Sequence, residues 1–299
     1  MTANPTAPNR VKFEDLEASA FQHPLDRQAT DNLKLLVGFD ILVAKFLEFG
    51  LERLLYVYNI ASAVQVGPKQ FPRLNDMVHE SAEILDVPVP EVFIVQSPVV
   101  NALTSGYTRP YVMLYTGLLD LMTEDEIRST IAHELGHIKC GHVLYLSMAN
   151  VLSRLTTQVT QMAWGIGTPV YYLLYGALLS WQRRAELSAD RAELLVMQDA
   201  RPVISAMTKF AAGNQRFANE LSSEEFLNQA RIYNEEMDKN FPDMLYRFMA
   251  ETDLSRTHPF MVERVKEIDL WAGSQQYADI LAGNYARKAK RYQIKVQAG

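Results

Sequence analysis

Thr123-Glu-Asp-Glu126-Ile-Arg-Ser-Thr-Ile-Ala-His133-Glu134-Leu-Gly-His137-Ile-Lys-Cys-Gly-His142 is the stretch around which the chain is organised. Its first four residues form a capping box: the Thr123 side chain accepts from the backbone N–H of Glu126, and Glu126 reaches back to the N–H of Thr123. The acidic first turn also suits the positive end of a helix dipole. A helix from Thr123 to about His142 sets His133 and His137 four residues apart on one face, with Glu134 turned off that face. Two imidazoles and a glutamate in this pattern commonly hold a catalytic zinc, with the glutamate as general base.

Two histidines do not complete such a site, which needs a third protein ligand and an open position. The metzincin extension asks for glycine at 140 and histidine at 143, and Cys140 and Val143 exclude it. His142 falls well off the ligand face and reads as a supporting or structural residue. Downstream, Arg183-Arg-Ala-Glu186-Leu-Ser-Ala-Asp190-Arg191 sets two carboxylates four apart on one helical face. One of them can ligate the ion while the other holds a zinc histidine by its free N–H. On a solvated face the pair would be mildly repulsive, so a nearby cation gives it a reason. Ala185, Ser188 and Ala189 are small enough to let the first helix approach.

Outward from these helices the chain reads as α+β, mainly α. Residues 1–28, with no apolar run after a basic start, suggest a disordered or extended lead-in and no secretory signal. Residues 29–66 are expected to form an amphipathic helical segment or helical pair packed on the catalytic domain, with a membrane-surface or partner-binding role as the alternative. Phe71 to Leu85 is helical, with His79 on its polar side as an ordinary surface histidine. From Glu91 the period changes to short β-rich runs, 91–96, 99–104 and 111–115, predicting a small antiparallel sheet just before the zinc helix. Such a sheet can leave an edge beside the metal to which an extended peptide adds as a strand. Ser222-Ser-Glu-Glu225 is a second capping box opening a polar helix, and Pro242 to Ala250 suggests another. Residues 67–273 are taken as one catalytic domain and 274–299 as a basic C-terminal helix, solvated or in contact with anionic lipid.

Charge and cysteine content exclude several classes. A net charge of -6 and a pI near 5.6 argue against nucleic acid as the main partner, because phosphate backbones need a basic surface. Cys140 is the single cysteine among 299 residues, so a cysteine-based zinc site and an intramolecular disulfide are both excluded. The chain reads as cytoplasmic or peripheral on the cytoplasmic face of a membrane.

Between the two ligand-bearing helices, Val159 to Trp181 is uncharged and long enough in principle to cross a bilayer. One crossing would put ligands of a single zinc on opposite sides, and Ser147, Asn150, Arg154 and Gln158 make a second crossing expensive. Residues 143–182 are therefore expected to form a helical hairpin turning at Gly165–Pro169. Its tip, 162–172, carries Trp164, Ile166, Tyr171 and Tyr172, which suit a lipid interface. The alternative is packing of the hairpin on the N-terminal helix or on a second subunit of a homo-oligomer.

Asn101-Ala-Leu-Thr104, Thr116-Gly-Leu-Leu-Asp120, His133–His137, the Glu186/Asp190 pair and Thr257-His-Pro259 with Arg264 follow one another in a recognisable order. Over roughly residues 70–270 this series resembles the HtpX-type and prenyl-protein-processing gluzincin zinc metallopeptidases. The resemblance implies a zincin-like domain holding one Zn2+ on His133, His137 and Glu186, with Glu134 as general base and Asp190 orienting a zinc histidine. It further implies a substrate-binding edge at Asn101, Ala102 and Leu103, and raises His258 from a helix cap to an oxyanion donor or substrate-positioning group. Arg264 is expected to pair with Glu186 or simply to decorate its helix. The function expected is endopeptidase cleavage of polypeptides, membrane-associated or misfolded ones included. The alternative is a non-proteolytic, lipid-associated scaffold that keeps its zinc, and intact Glu134 speaks against it.

Overall fold

In the computed structural model, residues 10–34, 52–162, 167–238 and 258–289 are described. The chain order is helix α1 (Pro24–Lys34), α2 (Glu52–Ser62), strand β1 (Val64–Gln65), α3 (Pro72–Leu85), β2 (Glu91–Val95), β3 (Ala102–Ser105), β4 (Tyr111–Tyr115), α4 (Thr116–Leu121) and α5 (Glu124–Lys139). Then follow α6 (Val143–Met162), α7 (Gly167–Met197), α8 (Ala200–Ala212), α9 (Ser223–Asp238), α10 (Met261–Ala272) and α11 (Gln275–Leu281). The fold is mainly helical with one small sheet.

The sheet is mixed, not antiparallel as its sequence suggested. Its strand order is β1-β2-β4-β3, with β2 and β4 parallel and β3 antiparallel to β4. A simple meander would have put β3 in the middle. Instead β4, whose Tyr111, Val112 and Leu114 are buried, takes the central place, where both flanks are paired. The more polar β3 is left at the edge, and β1, two residues long, gave no periodic signal. β3 packs against α5 and α6, so this edge of the sheet lies beside the helix that carries His133 and His137.

Helix α5 begins as its capping box requires: Thr123 N–H donates to Glu126 Oε2 at 2.7 Å, and Glu126 N–H donates to Thr123 Oγ1 at 3.4 Å. The Glu126 carboxylate also accepts from Lys209 Nζ at 2.7 Å and Ser205 Oγ at 2.6 Å, which ties α5 to α8. Along its length α5 packs on α7, and Gly136 is what permits the approach. A Cβ there would stand 2.7 Å from Ala192 Cβ and 3.0 Å from Ala189 Cα.

Over residues 10–28 the N-terminal lead-in differs from its expectation, and 1–9 lie outside the described residues. Phe13, Leu16 and Phe21 are fully buried in the main core, a short 3-10 turn spans Ala18–Ala20, and α1 begins at Pro24. Three large apolar side chains in a segment rich in polar residues lack periodicity, so the local pattern hides their burial. Of the 29–66 segment, α1 packs on α7 and α2 leaves Leu54, Val57, Tyr58 and Ile60 exposed, while 35–51 lie outside the described residues.

Arms α6 and α7 pack on each other, as a hairpin would. Its second arm and the segment bearing Glu186 and Asp190 are one continuous helix. The base of the hairpin is committed to α1 through a cluster of Ala29, Leu33, Tyr145, Leu146, Leu178, Trp181 and Ala185. Residues 163–166 at the tip, and the helix expected at 242–250, lie outside the described residues. Among the described residues, no helix is long and apolar enough to cross a membrane.

Of the basic helix expected over 274–299, the described residues form a helix that ends at Leu281, with Gly283 at a φ of +89°, and 290–299 lie outside the described residues. The chain then returns to the N-terminal segment, where Lys288 N–H donates to Asp15 O and Glu17 N–H to Ala286 O. Arg287 donates to Glu14 O, and Lys288 Nζ pairs with Asp86, so these two of its basic residues are used within the fold.

Candidate metal centre

Helices α5 and α7 bring His133, His137 and Glu186 together. His133 Nε2 lies 3.2 Å from Glu186 Oε2, and His137 Nε2 lies 3.4 Å from Glu186 Oε1. One donor atom from each residue falls within 4.8 Å of the other two, and all three residues are buried. Zinc bonds of 2.0–2.1 Å in a tetrahedron put neighbouring ligand atoms about 3.3 Å apart, and each histidine lies at about that distance from one oxygen of the Glu186 carboxylate. Glu186 Oε2 is buried with no hydrogen bond of its own, although Arg264 Nη1 stands 3.4 Å away, and a bound cation would use the lone pair left free. The residues present therefore fit a small divalent metal.

The far side of His133 is dense with charge. Its Nδ1 lies 3.0 Å from Asp190 Oδ1 and 3.5 Å from Glu193 Oε2. Arg264, from α10, clamps Asp190 with Nε to Oδ2 at 3.0 Å and Nη2 to Oδ1 at 2.6 Å, and its Nη1 stands 3.4 Å from Glu186 Oε2. Its main partner is thus Asp190, with Glu186 secondary. Glu193 also accepts from the Ser129 hydroxyl. His133, Asp190 and Glu193 form a second cluster of metal-type donors, but Arg264 and Ser129 already serve it.

These surroundings move the proton affinities. Burial alone would lower His133, yet Asp190, Glu186 and Glu193 raise it well above its ordinary value. Burial would raise Glu186, but His258, His133, His137 and Arg264 hold it well below the usual carboxylate range. Burial pushes the Glu193 carboxyl up, favouring its protonated form. Glu186 is thus kept ionised, the form in which a carboxylate can bind a cation.

Glu134 points elsewhere on α5. The Thr104 hydroxyl of β3 lies 2.6 Å from Glu134 Oε2 and 3.1 Å from the Glu134 carbonyl oxygen. A cavity of about 220 Å³ opens over the group, lined by His133, Glu134 and Glu186 with Asn101, Ala102, Met207, Phe210 and His258 among others. Leu103, expected on the substrate edge with Asn101 and Ala102, is not among the lining residues. His258 is 43% exposed, with Nε2 3.6 Å from Glu186 Oε1.

Reading the sequence missed Thr104 and Glu193. Glu193 was accessible, because positions 186, 190 and 193 repeat at i, i+4 and i+7 on one helical face. Thr104 lay within the Asn101–Thr104 run, but nothing in the sequence tied its hydroxyl to Glu134.

The chain matches peptidase family M48 over residues 68–272. It belongs to that family. This M48 chain is therefore a metallopeptidase, whose class of substrate is polypeptide and whose family implies a metal, typically zinc. It is 36% identical over 272 residues to the plastoglobule-localized metallopeptidase 48, chloroplastic, of Arabidopsis thaliana, spanning 90% of this chain and 77% of that one. With Protease HtpX homolog 2 of Methanosarcina acetivorans it shares 24% identity over 227 residues, spanning 68% of this chain and 74% of the other. A crystal structure of Ste24p from S. mikatae aligns with a TM-score of 0.38 at 16% identity, covering 86% of this chain and 68% of that one.

Proposed function

We propose that the protein is a zinc-dependent endopeptidase of the gluzincin type, in which His133, His137 and Glu186 hold one zinc ion and Glu134 is the general base. The observation that carries this reading is the buried Glu186 carboxylate facing both histidines, with Oε2 3.2 Å from His133 Nε2 and Oε1 3.4 Å from His137 Nε2. When bound, zinc supplies Lewis acidity that brings the pKa of water down to about 7.

The side chains do the rest. Glu134 takes a proton from the attacking water and delivers it to the leaving amine nitrogen, with Thr104 holding its carboxylate in one orientation. Asp190 accepts from His133 Nδ1–H and fixes that ring, while Arg264 fixes Asp190. An extended peptide pairs along the edge of β3, where Asn101 and Ala102 line the cavity, and Met207 and Phe210 receive an apolar side chain beside the scissile bond. His258, half-exposed at the same cavity, donates to the substrate carbonyl oxygen as charge develops there.

Glu134→Gln tests the assignment: the protein should keep its zinc and lose peptide cleavage, and retained turnover in a metal-loaded variant would overturn it. The hairpin tip is proposed as a lipid-facing element on the strength of Trp164, Tyr171 and Tyr172. Co-flotation with liposomes, abolished by changing Trp164 and Ile166 to serine, is the expected outcome.

A further inference from the structure

The two zinc-facing histidines are supported differently. His133 meets a carboxylate directly, whereas Nδ1 of His137 lies 3.0 Å from Nδ1 of a second histidine, His142. The other nitrogen of His142, Nε2, lies 3.0 Å from Asp26 Oδ2. Asp26 stands on α1, outside the stretch 68–272 that matches family M48. Asp26 is 0% and His142 1% exposed, and the His142 ring meets Trp181 edge to face at 5.5 Å.

Asp26 is surrounded by donors. Its Oδ2 accepts from Ser188 Oγ at 2.6 Å and Gln22 Nε2 at 2.9 Å, and its Oδ1 from Thr30 Oγ1 at 3.2 Å. Ser188 sits two residues beyond Glu186 on α7, and its hydroxyl oxygen in turn accepts the His23 backbone N–H at 2.9 Å. Burial works to raise the Asp26 carboxyl, but His142, Ser188 and Gln22 outweigh it and hold the group at about 2. Such a carboxylate is an acceptor only.

We propose that Asp26 sets the tautomer of His137 through His142, so that the N-terminal segment acts as a positioning element of the metal centre. This rests on His137 being a zinc ligand. An ionised Asp26 requires the proton of neutral His142 to be on Nε2, which leaves His142 Nδ1 as an acceptor. The group facing that acceptor is His137 Nδ1, which must therefore carry its ring's hydrogen. His137 Nε2 is then bare, with its lone pair on the side of Glu186 Oε1. With every hydrogen reversed, His137 would present Nε2–H and could not ligate. The two-ring relay thus does for His137 what Asp190 does alone for His133.

The test uses the full-length, zinc-loaded protein. Imidazole 15N NMR should show hydrogen on Nδ1 of His137 and on Nε2 of His142, and a His142 protonated on Nδ1 would overturn the proposal without any mutation. Zinc dissociation constants follow from competition with a chromophoric chelator. Asp26→Asn, whose amide can donate and reverse the relay, should weaken zinc by about 10–100-fold. His142→Gln, whose side-chain oxygen can replace the acceptor, should retain tighter zinc than His142→Ala. In the His142→Gln background, Asp26→Asn should add no further loss. An equal loss in both backgrounds, or a drop in thermal stability with the zinc constant unchanged, would make Asp26 merely structural and refute the relay. If His137→Ala leaves zinc binding intact, the ligand assignment itself fails, which is a distinguishable outcome.

Discussion

Replacing Gly136 by alanine should loosen the helix pair and the metal site together. The new Cβ would stand 2.7 Å from Ala192 Cβ, 3.0 Å from Ala189 Cα and 3.1 Å from the Ala189 carbonyl oxygen. Carbon atoms rest about 3.5–4.0 Å apart, so α5 and α7 must separate by roughly 1 Å. Alanine recovers about 1 kcal/mol of helix propensity, whereas overpacking costs about 1–3 kcal/mol. The cost belongs near the top of that range, because two of the three obstructing atoms are backbone and none ends a flexible side chain. A net loss of about 1–2 kcal/mol is expected, read by urea unfolding followed by circular dichroism. The site suffers more than the fold, because metal–ligand distances tolerate only about 0.2 Å and His137 and Glu186 sit on the two helices being parted. Zinc affinity should fall at least about tenfold, equivalent to about 1.4 kcal/mol. Ala192→Gly in the same protein removes the nearest of the three contacts and should recover part of that affinity, while giving up about 1 kcal/mol of helix stability. A Gly136→Ala protein with wild-type zinc affinity and equal or greater stability would refute the argument.

Thr104→Val removes the donor to Glu134 with little change in shape, and kcat should drop about tenfold with zinc content unchanged, since a hydrogen bond to a charged group contributes about 1.5–3 kcal/mol. Turnover equal to wild type would show that Thr104 does not position the base. Arg264→Met leaves Asp190 and Glu186 without their shared cation, and denaturant unfolding of the metal-free protein should show a loss of about 3–5 kcal/mol. A loss below about 1 kcal/mol would mean that the carboxylates find partners elsewhere. Asp26, lowered from 3.8 to about 2, contributes stability that is fully present above about pH 4 and is lost as the pH falls toward 2, because the unfolded chain binds the proton first. The stability difference between wild type and Asp26→Asn should accordingly shrink by roughly 2 kcal/mol across that window, and a difference independent of pH would contradict it.

Short-range regularities carried a large part of this protein's design. The capping box at Thr123, the two histidines on α5 and the Glu186/Asp190 face are set by spacings of three or four residues, and backbone geometry alone converts such spacings into shared faces. The strands were legible for the same reason, but their order was not: which strand takes the centre depends on burial against helices far away in the chain. Phe13, Leu16 and Phe21 sit in a segment too irregular to show a period, so only packing reveals them as core. The surroundings of the metal site were the least visible in the sequence. Arg264 reaches Asp190 across 74 positions, and Asp26 reaches Ser188 across 162. A histidine spacing can say that an imidazole will face an ion. Which of its nitrogens carries the hydrogen is decided by partners that arrive only when the chain closes on itself.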